Sequence, residues 1–183
     1  TKSAAETLVN YIEKISGARP AILEKPSPVP EHAIWIGASE QAEDIFSQKV
    51  LTFENTEGIV IACNGQHLLL AGDDRFFRGE QLAFGTANAV YTFIEKYLNV
   101  RWLWPGPLGE DIIREETIAF EPFTFRYHPV FRQRDLFSRA RRDLQEWTRR
   151  HRTHLDSLGV AAGHAFGTWW KRYHHEHPEY FAL

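Results

Sequence analysis

The sequence lacks several features that would place it in a special class of protein. It has one cysteine, Cys63, which excludes an internal disulfide, and we expect Cys63 to be buried as a small apolar residue. It has no apolar run near the ~20 residues that cross a bilayer, so we expect no membrane span. The net charge of −3 argues against a general nucleic-acid-binding surface.

Methionine is also absent from the 183 residues. We therefore expect residue 1 to be a processing point or an internal boundary of a longer protein. The apolar last residues, 180–183, favour the same interpretation. The length allows one full domain and the beginning of a second.

Charge divides the chain into two parts after Phe125. Residues 1–125 contain 10 Lys and Arg against 18 Asp and Glu, whereas residues 126–183 contain 11 against 6 and seven of the nine histidines. Together with Pro122 and Pro129, this change predicts two domains, 1–125 and 126–183.

The acidic part predicts strands between two main helices. Apolar residues at helical spacing predict helices before Gly17 and over 86–98. Asn64-Gly65 between the apolar runs 58–63 and 67–71 predicts a hairpin. Shorter elements are predicted as a helix over 41–46 and strands over 33–36, 100–104 and 116–120.

These elements predict an α+β (α/β two-layer) fold, a mixed β-sheet with helices on one face. The basic part predicts a different pattern. Strands over 130–137 and 158–162 alternate with helical segments around Trp147 and Trp169, which is the order of a parallel α/β barrel. Because a (β/α)8 barrel typically takes ~250 residues, these 58 residues hold at most two βα units of an incomplete barrel.

One stretch of the sequence resembles a known accessory domain. The strings GTANAVYTFIE (85–95) and YLNVRWL (97–103), with PG (105–106) and GE (109–110), resemble the N-terminal α/β domain of family 67 α-glucuronidases and family 20 β-hexosaminidases. HPEYFAL (177–183) is closer still to bacterial proteins of unknown function that join this domain to a glycoside-hydrolase-like barrel. One difference is the longer segment 73–84, whose Phe76, Phe77 and Phe84 we expect to pack on the body or on a neighbouring domain.

The resemblance implies a fold and a function. It implies a domain like the second domain of hexosaminidases, followed by the first βα units of a truncated TIM barrel. It also implies the non-catalytic N-terminal part of a bacterial, exported glycan-processing hydrolase, at the cell surface, in the periplasm or secreted. The catalytic carboxylates of such enzymes lie at the ends of barrel strands, so we expect none in this chain.

Four residues are candidates for substrate binding. Arg134 matches the arginine on the first barrel strand of family 20 enzymes, and Arg132 would share its strand face. The alternative is that Arg134 pairs with a carboxylate at the domain junction. His164 follows the second barrel strand, and Trp169 offers a stacking surface for a sugar ring, although core packing is the simpler role for both.

Other charged residues predict no chemistry. We expect the neighbouring acids Asp73-Asp74, Glu110-Asp111 and Glu115-Glu116 to be solvated, since adjacent strand residues face opposite ways. The run 174–177 (HHEH) lacks the spacing of a zinc motif, so we expect no metal and no cofactor. The arginine-rich helix near 139–152 fits packing against the acidic domain better than binding to nucleic acid.

Two functions without catalysis stay open beside the hydrolase interpretation. One is a carbohydrate-binding module that uses Trp169 or the Phe76–Phe77 segment. The other is an interaction or scaffold domain.

Overall fold

A computed structural model of the protein describes residues 2–53, 57–131, 133–134, 142–154 and 166–181. The helices and strands in these ranges are α1 (Lys2–Ser16), β1 (Ala33–Ile36), α2 (Glu40–Phe46), β2 (Ile59–Cys63), β3 (His67–Gly72), β4 (Asp74–Phe77), β5 (Glu80–Phe84), α3 (Gly85–Lys96), β6 (Arg101–Trp102), β7 (Glu110–Asp111), β8 (Phe123–Tyr127), α4 (Arg142–Arg150) and α5 (Phe166–Tyr173). Short 3-10 helices cover Gln48–Leu51, Pro107–Gly109 and Pro178–Tyr180.

A mixed four-stranded sheet in the order β1-β3-β2-β8 organises the fold. β1 runs parallel to β3, and β2 is antiparallel to both β3 and β8. The predicted hairpin is present, with Gly65 at a φ of 96° in its turn. The side chain of Asn64 fixes this turn, because its Oδ1 accepts hydrogen bonds from the backbone N–H groups of Gln66 and His67. The predicted α+β class with a mixed sheet is confirmed.

Helices cover both faces of this sheet, not one. α1 and α3 pack on the face that carries Ile61 and Leu70, where they form the larger core cluster. α2 and the 3-10 helix at 48–51 pack on the opposite face, against Val60 and Leu69. The prediction of a single covered face was therefore wrong. The central strands β2 and β3 are apolar on both sides, and a strand of that kind is stable only when both faces are buried.

The chain segment before β8 also differs from expectation. Residues 116–120, all within the described ranges, form no strand. Ile118 and Phe120 are half-buried against the α1–α3 core, so their alternation reflects packing and not strand pairing. The strand is instead β8, which pairs along the whole of β2 and extends two residues past the predicted boundary at 125. Arg126 on β8 donates hydrogen bonds to the backbone carbonyls of Lys49, Val50 and Thr52.

The longer segment 73–84 forms the β4–β5 hairpin. Its residues Phe76 and Phe77 are 65% and 59% exposed, so neither is buried on the described body of the protein. At its base, Asp74 Oδ1 accepts a hydrogen bond from the Thr86 N–H at 3.0 Å and so caps the start of α3. The predicted strand over 100–104 is shortened to β6.

α4 and α5 lie where helical segments were predicted. α4 packs on the α1–α3 core through Trp147, whose Nε1 donates to the Trp102 carbonyl at 2.9 Å. Of the predicted strand over 130–137, the structure describes 130–131 and 133–134, and Arg134 forms a backbone bridge with His154. The predicted strand over 158–162 lies outside the described residues. None of the helices in the described ranges has the length and apolarity that a bilayer-spanning helix needs.

We predict that Gly72→Ala destabilises the protein by more than about 2 kcal/mol, because a Cβ at Gly72 would lie 2.2 Å from the backbone carbon of Gly85. Chemical denaturation measures the loss. Gly167→Ala is the matched control, since no atom lies within 4 Å of the added Cβ and its backbone is helical. Equal effects of the two substitutions would show that the Gly72–Gly85 approach is not a packing constraint.

Candidate functional site

Glu57, immediately before the central strand β2, carries the most deeply buried carboxylate of the described residues. Glu57 is 4% exposed, and its φ of 58° is unfavourable for residues other than glycine. The backbone N–H of Glu57 donates to Asp73 Oδ2 at 3.3 Å. Residues held in such a conformation need support from their surroundings, which here comes from the groups around the carboxylate.

Three side chains surround this carboxylate. Arg134 Nη2 donates a short hydrogen bond to Glu57 Oε2. Asn88 Nδ2, on α3, lies 3.4 Å from Glu57 Oε1, and His154 Nδ1 lies at the same distance from that oxygen. The carboxylate thus joins the sheet, α3 and the segment that follows β8.

Arg134 is held by its backbone as well as its side chain. Its N–H and carbonyl exchange hydrogen bonds of 2.8 Å with His154. Nε donates to the Arg152 carbonyl at 2.9 Å, and Nη1 donates to the Phe131 carbonyl at 2.7 Å. Arg134 is therefore paired with a carboxylate, as in the alternative expectation, and the pair joins the start of β2 to the segment that follows β8. Contact of Arg134 with a substrate stays a prediction.

A cleft of about 100 Å³ opens beside this ion pair. We call it the Glu57 cleft, and its walls come from β2, α3, β8 and the segments around 134 and 152. The lining residues are Glu57, Ile59, Asn88, Tyr127, Pro129, Arg134, His151 and Arg152.

A second polar network ties α1, β7 and α4 together around Glu110. Tyr11 donates to Glu110 Oε1 at 2.5 Å, and Arg150 Nη1 donates to the same oxygen at 3.0 Å. Lys14 Nζ lies 2.5 Å from Oε2. Trp102 Nε1 donates to the Tyr11 hydroxyl at 2.8 Å, which links the network to the core.

The surroundings raise the pKa of Tyr11 and lower the pKa of Glu110. Burial, followed by the hydrogen bond to Glu110, raises the pKa of the Tyr11 hydroxyl far above its ordinary value. Burial alone would raise the pKa of Glu110, but the hydrogen bonds from Lys14, Tyr11 and Arg150 outweigh it, so that pKa lies below its ordinary value. Glu110 is thus an ionised structural anchor.

Three of the six neighbouring acids, Asp73, Asp74 and Glu110, have structural partners, which corrects the expectation that they are solvated, whereas Asp111, Glu115 and Glu116 are exposed as expected. Asp73 pairs with Arg75 at 3.1 Å and supports the Glu57 backbone, whereas Asp74 caps α3. Glu110 is the centre of the second polar network. Each of these three acids has a structural partner because the turn or strand that carries it faces another element and not bulk water.

Two arginines of the basic part, Arg150 and Arg152, contact carboxylates of the acidic part. Arg150 pairs with Glu110, and Arg152 Nη2 lies 2.5 Å from Glu95 Oε2 on α3. These contacts, with the Glu57–Arg134 pair, join the two differently charged parts of the chain.

Of the remaining candidate residues, the structure describes Trp169, which does not line the Glu57 cleft. Trp169 on α5 is 57% exposed, so core packing is not its role among the described residues, and its nearest aromatic neighbour is Tyr173. Arg132 and His164 lie outside the described residues. Within the described ranges, no group of three or more His, Cys, Asp or Glu side chains is placed to hold a metal ion.

The residues that sequence reasoning missed are Glu57 and Asn88. Glu57 directly precedes Gly58 and an apolar strand, a position that marks the start of a strand but not a buried charge. Asn88 lies within α3, among apolar residues. An amide in that position is the one sequence signal that could have indicated a buried polar contact.

Comparisons of the chain with protein-family models, with curated proteins and with solved structures find no match.

We predict that Glu110→Gln destabilises the protein by about 1–2 kcal/mol at pH 7 and by much less at pH 3. Because folding lowers the pKa of Glu110, its contribution to stability is present above the ordinary value of 4.5 and is lost as the pH falls below it. Denaturant unfolding of both proteins at the two pH values measures this.

Glu13→Gln is the control, since Glu13 pairs with Arg19 on the exposed surface of α1. We expect little change from it at either pH. A destabilisation by Glu110→Gln that is equal at pH 7 and pH 3 would show that the charge of Glu110 is not what stabilises the network.

Proposed function

We propose that this chain is the non-catalytic N-terminal domain and barrel start of a glycoside-hydrolase-like protein that acts on glycans, itself inactive. The observation that carries this proposal is the state of Glu57 and Glu110, the carboxylates at the centres of the two polar networks described above. Glu57 and Glu110 are both held by arginines, and the pKa of Glu110 is lowered. A glycosidase needs a general acid whose pKa is raised, and the lowered pKa of Glu110 does not suit that role.

Two further features support this proposal. The strings at 85–110 that resemble the accessory domain of these hydrolases fall on α3, β6 and β7, next to the four-stranded sheet. Arg134, the candidate for substrate contact, belongs to the segment that leaves the sheet after β8. The resemblance also implies that the longer protein is bacterial and exported.

The test compares the 183-residue chain with the full-length product of its gene, which the proposal expects to be longer. Both are incubated with chromogenic glycosides that include glucuronides and N-acetylhexosaminides. We expect the longer protein to release the chromophore and the 183-residue chain to match the buffer blank. Hydrolysis by the chain alone, removed by Glu57→Gln or Glu110→Gln, would overturn the proposal.

A carbohydrate-binding module is the second candidate, because several aromatic side chains are exposed on the protein. Trp169, Phe76 and Phe77 offer flat faces on which a sugar ring can stack. If this function is correct, calorimetric titration with oligosaccharides gives saturable heat that Trp169→Ala or Phe76→Ala reduces. Leu108→Ala, which removes an exposed side chain with no aromatic face, is the matched control. Absence of saturable heat would exclude this candidate.

A further inference from the structure

The turn between β2 and β3 contains an asparagine followed by a glycine, Asn64 and Gly65, and both residues are exposed. A bond between the side-chain carbon Cγ of Asn64 and the backbone nitrogen of Gly65 closes a five-membered succinimide ring. Glycine at the second position leaves that nitrogen unshielded, because it has no side chain. The turn therefore holds an electrophile and a nucleophile in neighbouring residues.

The hydrogen bonds of the turn activate the electrophile. Asn64 Oδ1 accepts from the backbone N–H groups of Gln66 at 3.0 Å and His67 at 2.7 Å. Attack on Cγ moves negative charge onto Oδ1, and donors 2.7–3.1 Å from such an oxygen stabilise that charge. Both donors follow Gly65 in the chain, so these bonds fold the Asn64 side chain forward over the Gly65 peptide and hold the reacting atoms near each other.

A base lies next to the nucleophile. The Gly65 N–H donates to Cys63 Sγ at 3.4 Å, and the same sulfur lies 3.9 Å from the Phe120 carbonyl oxygen. An amide nitrogen becomes nucleophilic only when it loses its proton, and a base within hydrogen-bond reach takes that proton most readily. Cys63, in its thiolate form, is such a base.

We propose that the Asn64–Gly65 turn is a site of self-catalysed deamidation in the folded protein. The proton of the Gly65 nitrogen passes to the Cys63 thiolate while that nitrogen forms a bond to Asn64 Cγ. The tetrahedral intermediate carries its negative charge on Oδ1, where the two turn amides stabilise it. The bond from Cγ to Nδ2 then breaks, Nδ2 takes the proton from the Cys63 thiol, and ammonia leaves.

Water completes the reaction by opening the succinimide ring. Hydrolysis of the bond from the Gly65 nitrogen to Cγ leaves an aspartate, whereas hydrolysis of its bond to the Asn64 backbone carbonyl leaves an isoaspartate, with the main chain running through Cγ. Both products replace a neutral amide with a carboxylate. The second also adds one carbon to the main chain directly after Cys63, the last paired residue of β2. This modification is independent of the proposed function.

The test keeps the folded 183-residue chain in 18O-water at pH 8 and follows 18O uptake by mass spectrometry of its peptides. Hydrolysis of the succinimide places 18O at residue 64. We expect uptake there and none at Asn10 or Asn88, the internal references, because the amides of the residues after them are bonded within α1 and α3. No uptake at residue 64, or uptake at the references at an equal rate, would overturn the proposal.

Cys63→Ala tests the base. We expect it to slow uptake at residue 64 of the folded chain by about tenfold, since a positioned base is lost. In urea the turn is absent, so the same substitution leaves the rate of the unfolded chain nearly unchanged. Thr124→Ala, at an exposed position of β8 beside the end of β2, is the matched control and leaves the rate of the folded chain unchanged.

The comparison of folded and unfolded chains separates catalysis by the turn from a purely local sequence effect. We expect the folded wild-type chain to react faster than the chain in urea, and denaturant unfolding of each variant confirms that the compared chains are folded. A slower folded chain would show that the turn protects Asn64, and it would overturn the proposal. So would a Cys63→Ala effect that is equal in the two states or absent from both. None of these rates bears on chromophore release by the longer protein.

Discussion

The ion pair between Glu57 and Arg134 joins two residues that are 77 positions apart in the chain. Glu57 belongs to the approach to the central strand β2, and Arg134 belongs to the segment that follows the last strand of the sheet. Both charges are largely removed from water, with side chains 4% and 21% exposed, so each is costly without the other. Asn88, the backbone bridge between Arg134 and His154, and the Glu57 cleft all lie around this pair.

The second network shows the same physical arrangement at another point of the junction. Glu110 accepts hydrogen bonds from Tyr11 and Arg150, and Arg152 reaches Glu95 on α3. In each case a carboxylate of the acidic part meets an arginine of the basic part. The charge asymmetry along the sequence therefore describes how the later segment is attached to the sheet.

Much of the fold could be predicted because local rules determine it. Helix periodicity located α1 and α3, and Asn64-Gly65 located the hairpin. Burial of the second face of the sheet could also have been predicted, since the uninterrupted apolar runs of β2 and β3 are typical of strands buried on both sides. β8 was missed because Pro122 and Pro129 suggested a boundary around it. Its place beside β2 is a long-range pairing, which neighbouring residues do not encode.

The candidate site was predictable only in part, for the same reason. Arg134 was singled out by a resemblance, but its partner was not, because Glu57 is one acid among many and its burial depends on contacts with distant residues.

The most direct test of this account is a double-mutant cycle on unfolding free energy with Glu57→Gln, Arg134→Met and the pair. We predict a coupling free energy of about 2 kcal/mol or more. The two single variants together should then lose more unfolding free energy than the double variant does, because each leaves one buried charge without its partner. Additive effects, with a coupling near zero, would contradict the claim that this ion pair holds the junction.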